Sequence, residues 1–158
     1  MMNLDLSLLR YDNGALYWTE DRRPRHKAGD RAGTVRTDGR RSVGVNQTLY
    51  LEYRVIFFMH HGYWPKEVDH INGDPTDNRI ENLRAATRGQ NARNTKAQAR
   101  NKLGVKNVYQ RGKKYRVMLT IDKAITYFGS HDSLEFAELV AIEAREKHHG
   151  EFANHGNL

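Results

Sequence analysis

Four polar residues, Asp69, His70, Asn82 and Asn91, have the types that hydrolysis of a phosphodiester calls for. Cutting such a bond needs a divalent cation on the scissile phosphate and a neutral imidazole beside a water, which gives up its proton as it attacks phosphorus in line. A carboxylate and an amide oxygen are hard ligands, suited to Mg²⁺ or Mn²⁺ with open water positions. Imidazole titrates close to neutrality and is a competent base there. The same stretch also suits plain turn chemistry, because Asn72, Asp74, Asp77 and Asn78 are what a tight loop of this kind contains. Spacing alone leaves both readings open. The Asp-x-Asn-x-Asp-Gly order of a calcium loop is not met.

The elements around these residues have to position them. Residues 64–70 read as a short strand running into a loop dense in Gly, Pro, Asn and Asp, and residues 80–87 as a second short strand. Thr87 followed by Gln90 is a capping box, so a helix should start at Arg88. On it Arg93, Lys96 and Arg100 fall at i, i+3 and i+7, while its apolar positions are mostly Ala. That layout puts Asp69 and His70 at the end of the first strand, Asn82 at the opening of the second and Asn91 in the first turns of the helix. Adjacent residues on a regular strand face opposite sides. For Asp69 and His70 to serve one site, the strand must bend or bulge, or a metal must sit at its edge.

Upstream, residues 15–19, 33–39, 42–46 and 48–51 alternate β-prone segments with turn signals and predict a small antiparallel sheet. Leu51, Val55, Ile56 and Met59 then take helical spacing, with Gly62 as the stop. His60 and His61 in the last turn could ligate a metal, but cations before a capping Gly are the commoner arrangement and the favoured reading. Downstream, residues 105–110, 115–121 and 125–128 predict a three-stranded meander. Asp132 and Glu135 mark a helix start, and Leu134, Ala137, Val140, Ala141 and Ala144 form its apolar stripe to about His148. A frayed tail is expected from Glu151.

The distribution of charge narrows the function classes. The chain has 158 residues, no Cys and a formal net charge of +7. Residues 1–81 hold 12 basic and 12 acidic side chains, 82–121 hold 11 basic and none acidic, and 122–158 hold 3 basic and 7 acidic. An acid-free run of that length, threaded with Tyr109, Tyr115, Val117 and Leu119, points to a folded surface for a polyanion such as nucleic acid rather than to a basic linker. The missing Cys excludes a disulfide framework and any structural Cys-zinc site. The longest apolar run, residues 55–59, is far below the ~20 residues of a membrane span. A soluble, cytoplasmic protein without a membrane partner is expected.

The segment Val68-Asp-His-Ile-Asn-Gly-Asp-Pro-Thr-Asp-Asn-Arg-Ile-Glu-Asn-Leu-Arg-Ala-Ala-Thr87, followed by Gln90-Asn91 and Asn94, resembles the core of phage and intron-encoded HNH homing endonucleases. It fits the branch whose last His is replaced by Asn. The resemblance implies a ββα-metal core over about residues 64–99. His70 would be the general base, Asp69 and Asn91 the ligands of one catalytic divalent metal (Mg²⁺, Mn²⁺ or another divalent ion), and Asn82 the brace of the hairpin loop that helps set His70. The stretch from Gly29 to Pro65 is similar to the region preceding the motif in such phage proteins, except that Tyr53 stands where His is common.

The stretch Gly104-Val-Lys-Asn-Val-Tyr-Gln, with Tyr115-Arg-Val and Phe128-Gly-Ser-His-Asp-Ser-Leu-Glu-Phe-Ala137, resembles the Apetala2/ethylene-response-factor DNA-binding domain, which lays a three-stranded sheet in the major groove. Alternation puts Tyr115, Val117, Leu119 and Ile121 on one face and Arg116, Met118 and Thr120 on the other, joined there by Tyr109, Arg111 and Tyr127. Lys113 and Lys114 at the turn suit phosphates. Met118 and Thr120 stand where plant members carry charged contacts.

The expectation is an α+β endonuclease in two parts. Residues 1–99 form an N-terminal antiparallel β-subdomain plus HNH core, and residues 100–158 a DNA-binding sheet packed on one helix. The implied partner is double-stranded DNA, met by a monomer or homodimer in the cytoplasm of a bacterial host if the chain is phage-encoded. The competing expectation is a DNA-binding regulator that keeps the fold without turnover.

Overall fold

The computed structural model describes residues 4–22, 24, 26–95 and 101–156. It is a mixed α/β structure of small antiparallel sheets and few helices, divided into two compact units, 1–87 and 88–158.

In the first unit, a two-residue turn with left-handed backbone at Asn13 and Gly14 joins β1 (Leu9–Asp12) to β2 (Ala15–Trp18). This pattern is the primed hairpin turn, whose twist matches the strands it connects. A second hairpin of the same kind, with positive φ at Asn46 and Gln47, joins β4 (Arg41–Val45) to β5 (Thr48–Leu51), and β3 (Thr34–Val35) pairs with the other side of β4. The single upstream sheet expected from sequence is therefore two sheets. The strand β1 was not anticipated, because four residues with a mixed pattern carry no periodic signal before β2 pairs with them. The chain turns from β5 directly into α1 (Glu52–His61), which ends as expected on a left-handed Gly62 whose N–H reaches Phe58 O. Val55, Ile56 and Phe57 of α1 pack with Leu16, Val43, Val45, Val68 and Leu83 into one core.

A short hairpin, β6 (Glu67–His70) with β7 (Leu83–Ala86), lies against α1, with Asp69 opposite Arg84 and His70 opposite Leu83. Asn82 does not open the strand as predicted. It closes a 3₁₀ turn, Ile80–Asn82, just before β7.

The second unit begins with α2 (Arg88–Arg93), which starts where the capping box placed it and ends at Arg93. Lys96 and Arg100 lie outside the described residues. The three-stranded sheet follows in the order β10-β9-β8, from β8 (Val108–Arg111), β9 (Lys114–Ile121) and β10 (Ala124–His131). The turn between β9 and β10 puts Asp122 and Lys123 at positive φ, and β10 is irregular between Tyr127 and Ser130, where Gly129 has φ 114°. Helix α3 (Leu134–His149) packs Ala137, Ala141 and Ala144 on Val108, Val117 and Leu119. Its N-cap is Ser133, whose side chain accepts from Phe136 N–H, rather than the neighbouring Asp132. The tail is not frayed as expected: Gly150–Phe152 forms a 3₁₀ turn that buries Phe152.

Gly33 lies where β3 meets β4, with φ +76°, and a Cβ there would stand 2.1 Å from Ser42 O. A Cβ at Gly89 in α2 would meet nothing within 4 Å. Gly33→Ala should lower stability by at least about 1–3 kcal/mol from left-handed strain alone, whereas Gly89→Ala should be neutral or stabilising by up to about 1 kcal/mol, as read by denaturant unfolding.

Candidate active site

His70 closes β6 and is buried against the loop that follows it. Its Nε2 is 2.9 Å from Oδ1 of Asn78, and the Tyr53 ring of α1 meets the imidazole edge-to-face at 5.0 Å. Tyr53, in the place where a His was expected by resemblance, is thus a wall of the histidine's pocket. Asn78 turns its Nδ2 towards Oε2 of Glu52 at 3.0 Å. Glu52 is fully buried, and its carboxylate also accepts from Leu16 N–H (3.1 Å) and from the Arg31 guanidinium (2.9 and 3.0 Å). Burial pushes the Glu52 carboxyl up, against the Arg31 charge and the hydrogen bonds from Leu16 and Asn78.

Asp69, one residue earlier, is directed to the neighbouring strand, where Nε and an Nη of Arg84 lie 2.8 and 2.7 Å from its Oδ2. Both side chains are nearly buried. The adjacent Asp69 and His70 therefore engage different partners, as strand alternation requires.

The loop between β6 and β7 is tied down by Asn82. Its Oδ1 accepts from Asn72 N–H (3.0 Å), and its Nδ2 donates to Asn72 Oδ1 (3.0 Å) and Asp77 O (2.7 Å). Asp74 caps the turn at Thr76, accepting from both its N–H and its hydroxyl. The hydrogen bond from Arg79, reinforced by that from Asn72, holds Asp77 down at about 2. Asn78 sits at the end of this loop, so a rigid loop fixes the amide that faces His70.

Asn91 lies half-buried on α2 in the second unit. Among the described residues no group of three or more His, Asp or Glu side chains converges as a metal cluster. His60 and His61 do not form one: His60 Nδ1 lies 2.8 Å from Ile56 O, and His61 packs on Phe57. The donor types of Asp69 and Asn91, a carboxylate and an amide oxygen, nevertheless fit a hard divalent cation.

In the sheet of the second unit, Tyr109 pairs with Arg116, Arg111 with Lys114 and Tyr127 with Met118. Directly paired antiparallel residues project from the same face, so these six share one face while Val117 and Leu119 are buried on the other. Tyr109 and Tyr127 are about half exposed, at 48% and 56%. Lys113 stands in the β8–β9 turn, and Arg93 ends α2 at 3.5 Å from Asp122.

Sequence reasoning treated Asn78 as a loop residue and passed over Glu52 and Arg31. One signal was available: Glu52 shares the i, i+3, i+4 spacing of Val55 and Ile56, so an acid sits in the apolar stripe of α1. A charge on a buried stripe requires partners.

Asn82→Ala would leave Asp77 O and the Asn72 amide without their tie. It should destabilise the fold by about 1–3 kcal/mol in urea unfolding and raise hydrogen exchange across residues 71–79.

Residues 51–93 match the family model described as HNH endonuclease. The matched stretch contains Asp69, His70, Asn82 and Asn91, and also Glu52 and Asn78. Searches of curated proteins and of solved structures found no match. Residues 51–93 are thus similar to an HNH endonuclease domain, a likeness that supports a nuclease hydrolase in general.

Proposed function

We propose that this protein is a metal-dependent HNH endonuclease of phage or mobile-element type that hydrolyses phosphodiester bonds of double-stranded DNA. The observation that carries the reading is the histidine of the matched stretch: His70 is buried, held at Nε2 by an amide oxygen and walled by Tyr53. An imidazole oriented through one ring nitrogen can do proton chemistry at the other.

In this reading His70 takes the proton of a water as the water attacks phosphorus, forming one P–O bond while the bond to the leaving sugar oxygen breaks. Asp69 and Asn91 would hold a single Mg²⁺, Mn²⁺ or similar ion. When bound, that ion supplies Lewis-acid stabilisation of the charge that builds on the phosphate. Arg84, 2.7 Å from Oδ2, fixes the direction of the Asp69 carboxylate. Asn82 keeps the hairpin loop in the shape that presents Asn78 to His70.

The second unit contributes binding as an Apetala2/ethylene-response-factor-like module. Arg111 and Arg116 suit guanine edges in the major groove. Tyr109 and Tyr127 flank them, and Lys113, Lys114 and Arg93, with Lys96 and Arg100, suit phosphates. A chain with one such site cuts one strand per event, so a monomer nicks and a two-fold dimer can break both strands.

Supercoiled plasmid incubated with Mg²⁺ or Mn²⁺ should be converted to nicked or linear form by the wild type. His70→Ala should cut roughly 10²–10⁴-fold more slowly while binding DNA with unchanged affinity. Equal cutting by the variant would sink the assignment of His70, and binding without cutting by the wild type would make the chain a DNA-binding protein.

A further inference from the structure

The buried Glu52 carboxylate does more than close a core, because everything around it is a donor. Leu16 N–H and the Arg31 guanidinium have no capacity to accept, so the two carboxylate oxygens facing them take the accepting role. Asn78, the remaining neighbour, must then present its NH₂ to Glu52, and its own Oδ1 is left pointing at His70. An amide oxygen 2.9 Å from Nε2 is satisfied only if that nitrogen carries the proton. In neutral imidazole the lone pair is then on Nδ1.

We propose that Glu52, acting through Asn78, is a positioning residue that locks His70 in the Nε2–H tautomer and so makes Nδ1 the atom that accepts the proton from water. The assignment of His70 as a base rests on the nuclease reading above, whereas the tautomer does not. Arg31 holds the carboxylate in place from the far side, where it also lies over the Tyr17 ring at 5.5 Å. Tyr53 meets the imidazole edge-to-face and restrains a flip that would take Nε2 away from Asn78. The whole chain of contacts lies within the first unit.

Glu52→Gln tests the direction of the lock. A Gln amide keeps one oxygen for Leu16 and Arg31 and offers an NH₂ to Asn78. Asn78 can then turn over, present its own NH₂ to Nε2 and favour the Nδ1–H form. Asn78→Ala is the companion variant, since it removes the link and leaves Leu16 and Arg31 on Glu52.

Nitrogen-15 NMR of the His70 ring, recorded on the full chain above the ring's titration range, should report Nε2–H in the wild type. It should report a shift towards Nδ1–H in Glu52→Gln and a mixture of forms in Asn78→Ala. Plasmid cleavage should fall by roughly 10- to 100-fold in both variants, short of the roughly 10²–10⁴-fold worth of a whole general base, with DNA affinity unchanged. Should Glu52→Gln fail to fold, Asn78→Ala decides. An Nδ1–H ring in the wild type, or the same tautomer in the wild type and in every folded variant, would overturn the proposal. The expected tautomers in a protein that does not cut DNA would keep the lock and remove the nuclease reading.

Discussion

A carboxylate taken wholly out of water is the constraint around which the first unit is arranged. An isolated buried ion costs several kcal/mol, and only good geometry with hydrogen bonds to both oxygens offsets that cost. Glu52 meets the condition by drawing its contacts from three distant segments: Arg31 from the long connection after β2, Leu16 from β2 itself and Asn78 from the hairpin loop. The first turn of α1 thereby ties together the β1–β2 sheet, the connection that follows it and the β6–β7 hairpin. The sign of its shifted pKa shows the residual cost. A carboxyl whose folded pKa is raised weakens the fold once pH climbs above the ordinary value of 4.5. At neutral pH that cost is in force, so Glu52 is poorly explained as a device for stability alone.

The hairpin loop passes this rigidity on to His70. Asn82, Asn72, Asp74, Asp77 and Arg79 satisfy one another within a short stretch of chain, and Asn78 stands at the end of that network. Its side chain is therefore fixed at both ends, by the loop backbone and by Glu52. The second unit is built differently. Its helix contributes mainly Ala to the sheet, which brings α3 close, and the fully buried Arg145 fills what is left by donating to Lys106 O at 2.6 Å. The opposite face of that sheet keeps its Tyr and Arg side chains.

Local pattern carried much of this. The stop of α1 at Gly62, the start of α2 at Arg88 and the alternation along β9 all follow from neighbours a few residues apart, and all are present. The pattern failed where partners are remote or equivalent. Strand β1 exists because β2 pairs with it. The tail is not frayed because Phe152 is buried and the turn that carries it lies against α2 and α3. Ser133 and Asp132 are both competent caps, and only the path of the chain selects between them. At the site, the types of Asp69, His70 and Asn82 were legible. The partner of His70 was not, because Asn78 looks like any loop asparagine until Glu52, 26 residues earlier, turns its amide. Hydrogen-bond direction is a property of the assembled network.

Binding of one divalent cation where Asp69 would hold it is the measurement that decides between a nuclease and a fold without turnover. Mn²⁺ titrated into the full chain, with free and bound metal separated by electron paramagnetic resonance, should show one site per chain that is lost in Asp69→Ala and retained in His70→Ala. No bound Mn²⁺ in the wild type with DNA present, or binding indifferent to Asp69, would contradict the account.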